Sequence, residues 1–411
     1  MKIVDVCAFY APQGGGVRTY VEQKLRAGPG NGHEIVILAP GPETRTEPRG
    51  PGARIEWLAS PRLPVDRRYR YFESSAALHR KLDEERPDFV EASSPWRCAA
   101  AVAKWQGSAP RSLVMHADPL AAYAYRWFEA VASPDMIDRS LTWAWRYLRR
   151  LDAAFTSVVS ASRSLTARLA GHGLRNVATV PMGIDRSFFS PALRDPVLRA
   201  RLLARCALPD NATLLLGVGR HAPEKRWPMI VEAVMAAGIH HPVGLILVGD
   251  GRDRARIVRA SDGNPHIQLL SPIANRFELA RLMASCDALV HGCEAETFSM
   301  VAAEAVASGL PVIAPDRGGA SDHALTGGGI RYAAADAAAA ARAIGRFLVD
   351  GCARPAAATR TMASHFEELF SLYEASTRAA ARPVTAAAAR APGAVTAGAR
   401  PYTGPTRTAH P

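Results

Sequence analysis

Short apolar runs rich in β-branched residues alternate along most of this chain with longer stretches whose apolar positions recur every three or four residues. The first pattern reads as strand and the second as amphipathic helix. The candidate strands are Ile3–Ala8, Glu34–Leu38, Phe89–Ala92, Ser112–His116 and Ala178–Pro181, then Leu214–Gly219, Gly244–Gly249, Ile267–Leu270, Ala288–His291 and Pro311–Ala314. Most are apolar throughout rather than alternating, which predicts strands covered on both faces and hence parallel sheets flanked by helices. About ten such units are too many for one ordinary open sheet. Two doubly wound α/β domains in tandem are the simplest arrangement.

The pattern breaks at Val180-Pro181-Met182-Gly183-Ile184-Asp185, where a strand runs into a Pro/Gly turn, and a polar, proline-punctuated segment follows up to Leu214. The expected division is an N-terminal domain over 1–185 and a C-terminal domain over 186–375. Phe366, Leu369, Phe370 and Tyr373 predict a helix that closes the second domain, and the alanine-rich run Ala333–Ala341 also reads as helix. From Ser376 to Pro411 the chain is mostly Ala, Arg, Pro, Thr and Gly, which buries no core and predicts a disordered tail over 376–411.

Charge changes the picture. Net charge is +12, an excess that invites nucleic acid, an anionic ligand or a membrane surface as partner. Five of the twelve charges, Arg378, Arg382, Arg390, Arg400 and Arg407, sit in the predicted tail. The six cysteines are widely spaced with no CxxC, which argues against a zinc site or disulfide scaffold and fits a reducing compartment. No apolar run reaches the roughly 18–20 residues of a spanning helix, and Met1-Lys2-Ile3-Val4-Asp5 reads as strand, not signal peptide. The expected location is the cytoplasm.

Three segments could carry chemistry. Gly14-Gly15-Gly16 follows the first strand, where a glycine-rich strand-to-helix turn lets backbone N–H groups approach an anion; it is neither GxGxxG nor a Walker loop. Arg220 and Lys225, in Gly219-Arg220-His221-Ala222-Pro223-Glu224-Lys225, lie at the carboxyl end of a strand, where open α/β sheets bind ligands. Two cations there suit a diphosphate, although surface charge alone is the commoner fate of such residues. The third segment, Glu294 to Ala305, opens a helix that Thr297 or Ser299 could cap. Glu296 before that helix and Glu304 inside it offer carboxylates at two depths of one cleft, good acceptors for sugar hydroxyls. A metal site from His291, Cys293 and Glu296 is a further option.

Glu296 and Glu304, separated by seven residues and followed by Ala305-Val306-Ala307-Ser308-Gly309-Leu310-Pro311-Val312-Ile313, resemble the Glu-x7-Glu signature of retaining glycosyltransferases, most of all glycosyltransferase family 4, the group 1 transferases. Matching pieces occur in the family's order: Gly15-Gly16-Val17, His116, Val180 to Asp185, Gly219-Arg220 with Lys225, Val248-Gly249-Asp250-Gly251, and Gly318-Gly319. The resemblance implies the GT-B fold, two Rossmann-like domains facing across a cleft, with nucleotide sugar held mainly by the C-terminal domain and acceptor by the N-terminal one. It implies that Glu304 holds the donor ribose and that Glu296, with backbone N–H groups near Phe298 and Ser299, binds the donor sugar. Arg220 and Lys225 would neutralise the diphosphate, Gly15 and Gly16 would approach the same phosphates, and His116 would contact the sugar near its anomeric centre. Thr297 and Ser299 stand where many relatives have glycine, Met182 replaces an Asn, and Asp322 sits near the place of a common Glu.

The implied reaction is retaining transfer of a hexose from a nucleotide sugar to a glycan or lipid-linked acceptor. It needs no cofactor and no metal: the cations and a helix N-terminus stabilise the leaving diphosphate, and the sequence has no Asp-x-Asp pair. Between Tyr123 and Leu151, Trp127, Trp143 and Trp145 mix with Arg139, Arg146, Arg149 and Arg150, and Arg67, Arg68 and Arg70 add a second basic patch. Such a surface could rest on an anionic membrane or be a core helix with a basic face. A GT-B phosphorylase or sugar-nucleotide epimerase remains open on the same fold. The other classes are a dinucleotide-dependent oxidoreductase, disfavoured by the missing GxGxxG, and a non-catalytic basic nucleic-acid or surface-binding protein, which lacks a recognised motif.

Overall fold

A computed structural model describes residues 1–11, 16–64, 67, 69–118, 120, 124, 128, 132, 134–355 and 360–381. Gly14 and Gly15 therefore lie outside the described residues, as do Arg68, Trp127 and 382–411. Among the described residues the strands are β1 (Lys2–Val6), β2 (Glu34–Gly41), β3 (Arg45–Pro48), β4 (Ala53–Ala59), β5 (Phe89–Ala92), β6 (Arg111–Met115), β7 (Ser157–Ser160), β8 (Val177–Thr179), β9 (Thr213–Val218), β10 (Val243–Val248), β11 (Ile267–Leu270), β12 (Ala288–Val290), β13 (Val312–Pro315) and β14 (Ile330–Tyr332). They form one sheet in the order β3-β4-β2-β1-β5-β6-β7-β8 and another in the order β11-β10-β9-β12-β13-β14. Only the β3–β4 pairing among them is antiparallel. These are the two doubly wound domains that the pattern predicts.

Each sheet is covered on both faces because neighbouring residues of a strand point opposite ways. In β1, Ile3 enters one core with Ile35 and Phe89, while Val4 enters the other with Val36 and Val90. In β9, Leu214 and Leu216 face the core that holds the Met300–Ala307 helix, and Leu215 faces the one that holds Trp227 and Ile230. The cysteines are all free, and five of the six are buried.

The strand order reverses between β1 and β5 in the first sheet and between β9 and β12 in the second. Chain segments leaving adjacent strands in opposite directions open a crevice at the strands' carboxyl ends. The loop carrying Arg220 and Lys225 leaves β9, and the segment carrying Glu296 leaves β12, so topology alone sets them on two sides of one crevice.

The domain crossing is made twice, side by side. Val180 belongs to the core of the first domain and Ile184 to that of the second. The chain returns at Arg360–Met362, where Ile184 donates its N–H to the Arg360 carbonyl at 2.9 Å. A Cβ on Gly183 would lie 2.1 Å from the Thr361 carbonyl carbon, so only glycine lets the two passes touch.

Three expectations need correction. The closing helix, Met362–Ala381, does not cap the second domain: Phe366, Leu369, Phe370 and Tyr373 pack into the first domain's core against Tyr20, Ile3 and Phe89. Its apolar stripe is generic, and the return crossing beside Ile184 decides which sheet it meets. The helix also continues through Ala381, so Ser376–Ala381 are helical rather than part of a disordered tail. The alanine-rich run, in turn, becomes helix only at Ala337, where the Asp336 carboxylate accepts from the Ala339 N–H at 2.8 Å and caps a helix running to Asp350.

Candidate active site

The crevice of the second sheet is shaped by loops that touch backbone to backbone. Gly249, after β10, would place a Cβ 1.9 Å from the Gly219 carbonyl oxygen, and Gly251 would place one 2.4 Å from that of His221. The His221 N–H donates to Asp250 O at 2.8 Å, and the Asp253 N–H donates to His221 O at 3.0 Å. This is the physical content of the Val248-Gly249-Asp250-Gly251 motif. The seam fixes the Gly219–Lys225 loop, whose short 3-10 turn at Pro223–Lys225 sends its two cations different ways. Arg220 stays 79% exposed and pairs with Glu224 at 3.0 Å. Lys225 turns inward, 14% exposed, and its ammonium is paired with Glu296. Burial lowers the Lys225 pKa from its ordinary value.

Glu296 also lies 3.7 Å from Nε2 of His291. The buried His291 accepts the Cys293 N–H on Nδ1 at 3.2 Å, which leaves its proton on Nε2. Burial, then the neighbouring Lys225, push its pKa well below the usual range, so it is neutral. Among the described residues no three His, Cys, Asp or Glu side chains gather so as to hold a metal ion, and His291, Cys293 and Glu296 are no exception.

Neither Thr297 nor Ser299 caps the Met300–Ala307 helix with its side chain, a further point where expectation and structure part. Thr297 instead donates its hydroxyl to the His116 carbonyl of the other domain at 3.1 Å. Ser299 adopts φ 64°, the left-handed region, and its Oγ points 3.5 Å from His291 Nε2. Phe298 sends its ring into the core against His323, leaving its backbone at the crevice. The segment is locked from behind by Gly318-Gly319: the Gly319 N–H donates to Glu296 O at 2.6 Å, and a Cβ there would sit 2.4 Å from the Phe298 carbonyl carbon.

Glu304 lies one helical stretch deeper, 12% exposed, with Arg276 at 3.5 Å. Burial raises its carboxyl to about 7, and Arg276 opposes that only partly. Arg276 is itself held over the rings of Phe188 and Phe189 at 5.0 and 5.4 Å.

From the first domain, His116 follows the end of β6. Its ring meets Tyr20 edge-on at 4.8 Å, and its Nε2 is buried without a hydrogen-bond partner. Burial lowers its pKa to about 4, so it stands neutral with an unsatisfied ring nitrogen. Gly16 opens the first helix, Gly16–Gly30. That helix is anchored by fully buried Lys24, which binds Asp5 at 2.9 Å and also Glu91; Tyr373 of the returning helix donates to Glu91 at 2.6 Å. Tyr20 donates to His365 Nε2 at 3.0 Å, and His365 Nδ1 donates to the Pro181 carbonyl at 2.9 Å. The His116 wall is thus tied to the domain crossing.

The sequence pattern did not single out the pairings that brace this site. Arg226 grips Glu294 through two bonds of 2.8 and 3.0 Å. Asp322 reaches across the domains to accept the backbone N–H groups of Arg163 at 2.6 Å and Ser164 at 3.4 Å, the open end of the Arg163–Gly171 helix. The Gly318 N–H donates to Ser164 Oγ at 3.0 Å. Partners that lie tens to hundreds of residues apart leave no local signal.

Residues 14–188 match the family model Glycosyltransferase Family 4, and residues 212–350 match the model Glycosyl transferases group 1. The chain is 31% identical over 326 residues, 78% of its length and 81% of the relative's, to a GDP-mannose-dependent alpha-mannosyltransferase of Mycobacterium tuberculosis (strain CDC 1551 / Oshkosh). The protein belongs to the group 1, family 4 glycosyltransferases. It is 28% identical to a GDP-mannose-dependent alpha-(1-6)-phosphatidylinositol dimannoside mannosyltransferase of Mycobacterium tuberculosis (strain ATCC 25177 / H37Ra), over 76% of this chain and 79% of that one. Its fold matches the sucrose-phosphate synthase of Thermosynechococcus elongatus with a TM-score of 0.63 at 20% identity, covering 92% and 97% of the two chains. This glycosyltransferase therefore has the GT-B architecture.

Proposed function

We propose that the protein transfers mannose from GDP-mannose, with retention of configuration and without a metal, to a hydroxyl of a lipid-linked glycan. The observation that carries the proposal is the pairing of Lys225 with Glu296 across the switch-point crevice, with Arg220 on the same loop as Lys225 and Glu304 on the helix that follows Glu296. The donor sugar and base are taken from the two mannosyltransferase relatives, both named as GDP-mannose-dependent.

In this scheme Glu304 accepts the ribose hydroxyls and Glu296 a donor-sugar hydroxyl. As the diphosphate enters, Lys225 exchanges Glu296 for phosphate oxygen while Glu296 gains sugar O–H donors, so neither charge is left bare. Arg220 folds in from solvent to the same diphosphate, and Gly16, at the start of the first helix, approaches it from the other domain. The acceptor oxygen bonds to the anomeric carbon on the face the diphosphate leaves. The bond from that carbon to the phosphate oxygen breaks, and the acceptor proton passes to the departing phosphate oxygen. The two cations lower the barrier by meeting charge that grows as the bond breaks. The neutral His116, with Nε2 unsatisfied, offers a contact near the anomeric centre. With its pKa near 4 it is a weak base, which favours positioning over proton abstraction.

The acceptor half of the proposal draws on the surface of the first domain. Trp143 is 63% exposed, Met136 and Phe128 are exposed as well, and Arg139, Arg146, Arg149 and Arg150 are exposed in the same stretch of chain. Trp145 is a core residue stacked on His172 at 3.7 Å, so only part of the aromatic segment faces outward. An aromatic and basic face of this kind suits peripheral contact with an anionic cytoplasmic leaflet. No helix among the described residues is long and apolar enough to cross a membrane. Incubation with a panel of nucleotide sugars tests the proposal: release of GDP from GDP-mannose is expected, and preference for a uridine donor would overturn the assignment of the base.

A further inference from the structure

Among the described residues the Glu304 carboxylate has one side-chain partner, Arg276, whose guanidinium lies 3.5 Å from Oε1. Arg276 stands where helix energetics disfavour it. It is the first residue of the Arg276–Ser285 helix, which Asn275 caps by accepting the Phe277 and Glu278 N–H groups. The positive end of the helix dipole repels a cation, so a basic residue there breaks a local rule unless partners offset the repulsion. Two kinds of partner do. The rings of Phe188 and Phe189 hold the guanidinium at 5.0 and 5.4 Å, and the carboxylate of Glu304 meets it. Phe189 is buried in the second domain's core, so the platform is fixed. Resting on the reading above, in which Glu304 takes the donor ribose, we propose that Arg276 is a positioning residue of the nucleotide site: from its phenylalanine platform it favours the anionic form of Glu304, the form that accepts both ribose hydroxyls.

The chemistry follows from what a diol needs. Two vicinal hydroxyls donate two protons, and an ionised carboxylate accepts both, whereas a protonated carboxyl gives up part of its acceptor capacity. Burial opposes the anion and Arg276 supports it, which leaves the carboxyl at about 7. Among the described residues no other charge performs this task. On the helix of Arg276, Arg281 pairs with Asp195 and with Glu278. On the neighbouring Gly319–Thr326 helix, His323 meets the Phe298 carbonyl and burial holds it neutral, while Asp322 turns to the first domain. The strands β12 and β13 that pack on the Met300–Ala307 helix are apolar. Removing Arg276 therefore leaves burial unopposed.

The test compares GDP with 2′,3′-dideoxy-GDP on the full chain by calorimetry, from about pH 5 to about pH 9. The readout is the ratio of the two Kd values. Both nucleotides carry the same diphosphate, so its titration and that of Lys225 cancel. In the wild type the preference for GDP should climb as pH rises through about 7. Arg276→Gln should move that climb up by about half a pH unit or more, roughly a twofold loss of preference at neutral pH, and recover the wild-type preference at the alkaline end. Arg276→Lys, which restores the charge, should bring the midpoint back toward the wild type. Thermal stabilisation by 2′,3′-dideoxy-GDP, retained in both variants, shows them folded with the rest of the donor site intact. An unmoved midpoint in Arg276→Gln overturns the inference. So does an equal loss of preference at every pH, or a lysine variant with the glutamine midpoint. If the wild type shows no climb, the ribose role of Glu304 falls and this inference with it. If the climb is present and Arg276→Gln leaves it in place, the ribose role stands and only this inference falls. UDP and its 2′,3′-dideoxy form give the same pair of readings, so a uridine preference would overturn the base assignment alone.

Discussion

Replacing Glu304 by glutamine separates what this carboxylate costs the fold from what it gives a nucleotide. Burial holds its pKa at about 7, against 4.5 for the free side chain. At 1.36 kcal/mol per pKa unit, the ionised form carries a destabilisation of about 3 kcal/mol. Because the folded value is the higher one, the native state keeps a proton that the unfolded state loses between pH 4.5 and about 7. The contribution of this carboxyl is intact below that window and is lost as pH rises through it. Glutamine cannot ionise, so Glu304→Gln should stabilise the free enzyme most at about pH 8 and hardly at all near pH 5. For a domain of this size the gain corresponds to roughly 5 °C or more in Tm, readable by differential scanning fluorimetry at the two pH values. The same variant should bind GDP at least about tenfold more weakly, because charge-assisted bonds to the ribose hydroxyls are each worth roughly 1.5–3 kcal/mol. Wild-type affinity for GDP should likewise tighten as pH rises through about 7 and then level off. A Tm change of the same size at both pH values would refute the buried-charge reasoning. An unchanged GDP affinity would refute the ribose role.

Arg220→Ala should leave Tm unchanged, since the side chain is 79% exposed, yet lower kcat by about a hundredfold or more; near-normal turnover would remove Arg220 from the chemistry. Addition of EDTA should not alter the rate of transfer, and activity lost to EDTA and restored by magnesium would contradict metal-free leaving-group stabilisation. Phe370→Ala should cost roughly 3–5 kcal/mol and speed hydrogen exchange in β1 and β2, whose core the ring shares; exchange rising instead in β9 and β10 would place the closing helix on the wrong domain. Trp143→Ser combined with Arg146→Ser should abolish flotation with anionic vesicles at low salt, and absence of binding by the wild type would rule out the membrane face.

Apolar parallel strands were legible to the residue in two cases, the central Phe89–Ala92 and the edge strand Ile267–Leu270. The edge of the first sheet was not. In β4, Arg54 and Glu56 break the apolar pattern, and they are tolerated because Arg54 pairs with Glu56 at 3.0 Å and with Glu34 and Glu85. In β3, Arg45, Glu47 and Pro48 form a charged edge strand of the kind that resists pairing with another chain. β7 is bounded by serines, and β14 has three residues. The site divides along the same line. The placement of Glu296, Glu304, Arg220 and Lys225 at one crevice was readable because each follows a strand end in the local pattern. The Arg226–Glu294 clamp, the Asp322 cap on the Arg163–Gly171 helix and the pairing of Arg168 with Asp118 and Asp138 were not, because each depends on how two distant segments or two domains meet.

The most direct test of retaining mannosyl transfer is proton NMR of the product formed from GDP-mannose and a lipid-linked glycan acceptor. An α-linked mannoside, appearing in step with GDP, is the predicted result. A β-linked product, or no release of GDP from GDP-mannose under any acceptor, would contradict it.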